Sequence, residues 1–245
     1  MTMGLFAGLI ALAGGATEAK SAAGAPELLA PPVEGPLVAA KPDEGMDRVQ
    51  VIMARKISGL NSVTCDIEMS RKRKNRYKRK VYTGPVEIVR QQGARLAQTR
   101  NGKTDEYVVN NDTIWSIDHN EKEAQFIPAS VPIVGAYLKE AMEFNIFAAM
   151  DQDTLKLRGS QTLDKEPCWV IDGKSPKKLS TVGVPVSKMR VWISQNDGLP
   201  RKVNVLDEDD LIVTIRNVKL NPVIPASRFN YSPPKNYKTK NIFGF

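Results

Sequence analysis

The chain has 245 residues, 42% hydrophobic and 25% charged, the balance of a soluble protein with one sizeable core. A net charge of +8 and a pI near 9.4 favour an anionic partner, whether nucleic acid, a membrane surface or an acidic ligand. Two cysteines, Cys65 and Cys168, and no Cys-x-x-Cys speak against a thiolate metal cluster. They leave one disulfide in an oxidising compartment or, as we expect, two separate buried thiols.

Residues 1–25 read as an export signal. The apolar run Leu5-Phe6-Ala7-Gly8-Leu9-Ile10-Ala11-Leu12-Ala13 is too short to span a bilayer, and small residues follow it, with cleavage expected near Ala23 or Ala25. No cysteine follows to carry a lipid, so the mature protein is expected to be soluble. Residues 26–42, rich in Pro, Ala and Gly, read as a flexible linker, and a single domain is expected over 43–245. Met46, Val49, Ile52, Met53, Ile57 and Leu60 recur at spacings of three and four, which predicts an amphipathic helix with Asp43 as its N-cap. Residues 63–69 alternate as a first strand.

Arg71, Lys72, Arg73, Lys74, Arg76, Lys78, Arg79 and Lys80 then form the most charged stretch, read as a hairpin that turns near Lys74-Asn75. An export signal argues against nucleic acid. In an exported protein such a run is suited to anionic head groups, where each cation contributes about 1 kcal/mol.

Residues 81–128 hold short β-rich runs separated by polar turns, the pattern of an antiparallel meander. Val86 and Ile88 alternate with Pro85 and Glu87, and Arg90 shares their parity. Gly93, Asn101-Gly102 and Asn110-Asn111-Asp112 mark the turns. In residues 134–150, Tyr137, Leu138, Ala141, Met142, Ile146, Ala149 and Met150 keep helical spacing, interrupted around Phe144-Asn145. A stretch this apolar is buried or covers a greasy cavity. Strands resume after residue 154, with Asn196-Asp197-Gly198 as a hairpin turn. There is no Gly-x-Ser-x-Gly, no phosphate loop and no metal-spaced cluster, and the one histidine, His119, lies at a hairpin tip. The expectation is therefore no enzyme and no cofactor.

In order, these pieces resemble the LolA/LolB superfamily of periplasmic lipoprotein carriers over roughly residues 47–234. The resemblance rests on the helix leading into Val63-Thr64-Cys65-Asp66-Ile67 and on the glycine-led strand Gly84-Pro85-Val86-Glu87-Ile88-Val89-Arg90. It continues through the hairpin Asn111-Asp112-Thr113-Ile114-Trp115-Ser116-Ile117-Asp118 and the strand Trp169-Val170-Ile171-Asp172-Gly173-Lys174-Ser175-Pro176-Lys177. It ends on Asn217-Val218-Lys219-Leu220-Asn221 and the closing Phe229-Asn230-Tyr231-Ser232-Pro233-Pro234. The resemblance implies an α+β fold: a strongly curved antiparallel sheet, an unclosed half-barrel, with helices covering its concave face. Acyl chains of lipids or lipoproteins would lie between them, against Val86, Ile88, Arg90, Trp115, Tyr137, Leu138, Met142 and Phe147. It implies that Arg90 controls a helical lid, here residues 134–150. It also implies a periplasmic monomer working between an inner-membrane donor and an outer-membrane acceptor, and the basic run would dock on an anionic surface. Two departures leave the cargo open: Gln91 stands where the family has proline, and Ala94-Arg95-Leu96-Ala97-Gln98 replaces a tryptophan-rich strand. A non-transporting lipid sensor or interaction module on the same fold is the alternative, and a basic nucleic-acid-binding protein a distant third.

Overall fold

The structure, a computed structural model, describes residues 30–40, 45–73, 80–128, 130, 142–175, 187–206 and 209–241. One 13-stranded sheet dominates it. The strands are β1 (Val38–Ala39), β2 (Ser62–Arg73), β3 (Lys80–Val89), β4 (Gly93–Arg100), β5 (Lys103–Asn110), β6 (Thr113–Asp118), β7 (Glu123–Pro128), β8 (Lys156–Leu163), β9 (Glu166–Lys174), β10 (Lys188–Ser194), β11 (Pro200–Val205), β12 (Asp209–Leu220) and β13 (Lys238–Asn241). Their spatial order is β1-β8-β9-β10-β11-β12-β2-β3-β4-β5-β6-β7-β13. Every neighbour is antiparallel except β13, which lies parallel to β7. The end strands β1 and β13 do not meet, so the sheet stays open, as an unclosed half-barrel does. Two meanders, β2–β7 and β8–β12, are joined along the long β2–β12 ladder, where Ile67 faces Ile215 and Met69 faces Val213.

Period-two alternation gives the sheet two different faces. Val63, Cys65, Ile67 and Met69 of β2 point into the main core and are at most 5% exposed. The helix α1 (Met46–Ser58) sends Val49 and Met53 into the same core, with Met46, Ile52 and Ile57 packed against it. Its N-cap is Gly45, which offers no side-chain oxygen, so the expected cap at Asp43 is displaced; Asp43 itself lies outside the described residues. The last turn carries Arg55 and Lys56, favourable against the carbonyl end of the helix dipole. Among the described residues no helix is long and apolar enough to cross a membrane.

The other face is covered in two places. Residues 34–39, expected as linker, belong to the fold: Val38 and Ala39 pair with Ser160 and Gly159, Glu34 bridges Leu163, and the Lys202 ammonium reaches the Glu34 carboxylate. A Pro/Ala-rich segment is already extended, and an edge strand has to satisfy only one side of its backbone. Nearby, Leu163, Cys168, Val170 and Trp192 form a second small core, with the Lys202 ammonium 4.5 Å from the Trp192 ring. At the opposite end the C-terminal segment folds back, burying Phe229 against Gly93 and setting Tyr231 edge-on to Trp115.

The two cysteines are free and buried on opposite faces, Cys65 in the main core and Cys168 in the second, so they do not meet. Burial first, and then the nearby Asp66 and Glu166 respectively, push both thiols up to about 12.

Candidate functional site

The core face of β3–β7 is built in rows. Cross-strand register lines up Ile88, Ala94, Val109, Ile114 and Ile127, all apolar and at most 3% exposed. The next row, two residues along each strand, is Val86, Leu96, Tyr107, Ser116 and Gln125. The row beyond that holds Gln98, Asp105, Asp118 and Glu123. One face therefore grades from hydrocarbon to amide and carboxylate over about five residues, or roughly 13 Å of strand rise. Burial, and then the negative charge of Asp118, push the Asp105 carboxyl up to about 6, against the pull of His119, Lys103 and Arg100.

Arg90 stands at the apolar end, just after β3. Its backbone N–H donates to Asn61 O at 2.8 Å. Its side chain donates from Nε to Leu60 O at 2.7 Å, from Nη2 to Ile57 O at 2.5 Å, and from Nη1 to Glu143 Oε2 at 2.7 Å. The guanidinium carbon lies 5.4 Å from the Phe144 ring centroid, within cation–π reach. Gln91 Nε2 donates to the other Glu143 oxygen at 2.8 Å. Parity sets Arg90 beside Val86 and Ile88, and the resemblance couples it to the lid stretch 134–150. The carbonyls come instead from the end of α1, where orphan acceptors and the dipole favour a cation. Residues 142–150 supply a carboxylate. Arg90 thus ties strand end, α1 and the Glu143 segment together, with both ion-pair partners about a quarter exposed.

Of the other residues singled out from sequence, Val86 and Ile88 lie on the core face at 5% and 3% exposure. Met142 and Phe147 are buried, Phe147 within the main core; Tyr137 and Leu138 lie outside the described residues. The described end of the 134–150 stretch is not a continuous helix. Phe144 takes φ +60°, the left-handed region, and a single 3-10 turn, Ile146–Ala149, follows, capped by the Asn145 side chain, whose Oδ1 accepts from Phe147 N–H. Trp115 is a correction. It points away from Ile114 to the opposite face, where it packs on Phe126 at 5.0 Å and Tyr231 at 5.3 Å, so it belongs to the seat of the C-terminal segment. Both Ile114 and Trp115 are apolar, so alternation alone left β6 without a readable inside.

The basic run splits. Arg71 and Lys80 are half-buried and face each other across β2 and β3. Arg73 and Lys72 stand in register with Asp209 and Asp210 of β12. Lys74, Arg76, Lys78 and Arg79 lie outside the described residues.

Sequence reasoning missed Glu143 and Gln98. Glu143 is an acid inside an otherwise apolar stretch, and Gln98 is a polar residue on the parity of Ala94 and Leu96. Each was legible as an exception to its own pattern.

No family model matches the chain, and no curated protein does. Solved structures do. An uncharacterized conserved protein from Thermus thermophilus superposes with a TM-score of 0.52 at 14% identity, over 80% of this chain and 98% of that one. A LolA superfamily protein from Nitrosomonas europaea matches at TM-score 0.40 and 10% identity, over 77% of this chain and 98% of that one. The lipoprotein LppX of Mycobacterium tuberculosis matches at TM-score 0.43 and 16% identity, over 73% of this chain and 96% of that one. At such identities likeness is a matter of architecture: the chain shares the fold of the Thermus protein.

Proposed function

We propose that this chain is a periplasmic carrier that holds the acyl chains of lipids or lipoproteins between the core face of the sheet and a cover formed by α1 and the segment around Glu143. It would receive them from an inner-membrane donor and pass them to an outer-membrane acceptor. The observation that carries this reading is the bond set of Arg90. A partly exposed guanidinium at the border of an apolar face holds two covering segments with three side-chain hydrogen bonds, and those bonds can break without disturbing any ladder of the sheet.

Magnitudes then set the cargo. Hydrogen bonds to a charged group contribute about 1.5–3 kcal/mol each, so separating the cover costs on the order of 5–9 kcal/mol. Each methylene removed from water returns about 0.8 kcal/mol. A chain of roughly six to eleven carbons balances the cost, and a longer one opens the cover. Displacement of a fluorescent acyl probe by saturated chains of increasing length tests this. Affinity is expected to rise steeply beyond that range. Arg90→Leu is expected to lower that threshold, tighten binding about tenfold or more, and slow release. Wild-type affinities and release rates in Arg90→Leu would reject the reading.

A further inference from the structure

Two polar side chains on the core face are sealed in and unsatisfied. Gln98 is 1% exposed, and neither its Nε2 nor its Oε1 has a hydrogen-bond partner. Tyr107 is 0% exposed, and its hydroxyl is likewise unpartnered, although Ser116 is its neighbour across β5 and β6. Leu96 stands two residues before Gln98 on the same face and pairs with Tyr107, so the two groups lie one row apart on adjacent strands. On the apolar side they adjoin the row of Ala94 and Val109; on the polar side Asp105 faces Gln98 and Asp118 faces Asp105.

Buried amides and hydroxyls without partners cost stability, and most native proteins avoid them. Leucine at position 98 and phenylalanine at position 107 would fill similar volumes at no such cost. The polar atoms are therefore informative about what the face meets when it is in use.

We propose that Gln98 and Tyr107 form a recognition point for the linkage group of an amphiphile, an amide-linked acyl chain whose hydrocarbon lies along the Ala94–Val109–Ile114 row. The assignment follows from donor and acceptor count. Gln98 offers both a donor and an acceptor, and Tyr107 adds a hydroxyl. An ester presents acceptors only and leaves the Gln98 carbonyl oxygen unpaired. A secondary amide presents N–H and C=O on opposite sides of its trans bond: its N–H donates to Gln98 Oε1, and its carbonyl accepts from the Tyr107 hydroxyl. The polarity gradient fixes the direction, tail toward Arg90 and head toward Asp105 and Asp118. This inference rests on the carrier reading.

The test displaces a fluorescent acyl probe from the full chain with N-methylhexadecanamide and with methyl hexadecanoate, which differ only in the linkage. The wild-type protein is expected to prefer the amide by roughly tenfold, the worth of one well-placed hydrogen bond in a buried site. Gln98→Leu is expected to bind both equally, with the ester at its wild-type affinity, and to melt at a higher temperature than wild type without ligand. Tyr107→Phe, which removes the donor to a carbonyl that both compounds carry, is expected to weaken the two alike and keep the preference for the amide. If neither compound displaces the probe from wild type, the carrier reading fails and takes this inference with it. If both bind wild type equally, or the preference survives in Gln98→Leu, the carrier reading stands and the recognition point is overturned.

Discussion

Asp105 shows how a single residue reports on the polar end of the core face. Its carboxyl, ordinarily at 3.8, is pushed up to about 6 by burial first and by Asp118 second. The folded state therefore holds this proton more tightly than the unfolded chain does. Stability from this group is greatest at low pH and falls as pH rises through about 4 to 6. Asp105→Asn removes the titrating group. Urea denaturation at a series of pH values is expected to give a shallower decline across that window and a more stable variant at neutral pH; identical slopes in both proteins would show an ordinary carboxylate. What the sequence conveyed at this scale was direction, not partnership. The parity of Arg90 with Val86 and Ile88 was readable, whereas its anchoring to Ile57, Leu60 and Glu143 depends on segments 30 to 53 residues distant in the chain. Trp115 was misplaced for a related reason, because its partner Tyr231 lies more than a hundred residues away.

At the scale of elements, the meander was legible because each strand alternates and each turn carries Asn, Asp or Gly. Residues 194–200 close as expected, with Gly198 at φ +79° in the turn. The edge strands were not legible. β1 has a linker's composition, and β13 is the polar stretch Lys238-Thr239-Lys240-Asn241; an edge strand needs no buried side chain, so it leaves no period to detect. Gly84, noticed only as the head of a motif, has a physical task inside its strand. A Cβ there would stand 1.6 Å from the Ala97 carbonyl oxygen and 2.8 Å from its carbon, contacts no rotamer can relieve because both atoms are backbone. Gly84→Ala is therefore expected to spread β3 from β4 and destabilise the protein by about 2–3 kcal/mol, toward the upper range for overpacking. Gly59→Ala, where nothing lies within 4 Å of the added carbon, is the matched control and is expected to change stability little. Chemical denaturation of the two variants side by side decides it; equal midpoints would mean that the strands yield freely at Gly84.

For the whole molecule the governing feature is the distribution of charge. Residues 71–80 hold eight Lys and Arg and no acid, so they account for the entire net charge of +8 and the remainder of the chain is neutral. β2 and β3 place Arg71 and Lys80, the flanks of this run, opposite each other at one end of their shared ladder, and Arg90 at the other end, where Ser62 faces Val89. Nine residues of strand separate Arg71 from Ser62, about 30 Å at the usual rise. The Debye length at physiological salt is about 8 Å, so the Arg71–Lys80 end of the ladder and the Arg90 bond set are electrostatically independent. The polar row of Gln98 and Asp105 lies toward the Arg71–Lys80 end, which would leave the head of a bound amphiphile on the side of the proposed docking run. We predict that replacing Lys74, Arg76, Lys78 and Arg79 by Ser removes salt-sensitive binding to vesicles rich in anionic lipid. With about 1 kcal/mol per cation, the four changes amount to roughly a thousandfold in partitioning. Acyl-probe affinity and the response to Arg90→Leu are expected to stay as in wild type, because neither draws on these charges. Vesicle co-sedimentation at low and high salt, run alongside probe displacement on the same preparations, separates the outcomes. Loss of both activities together would make the basic run a structural support of the sheet, and unchanged vesicle binding would place the docking surface elsewhere on the molecule.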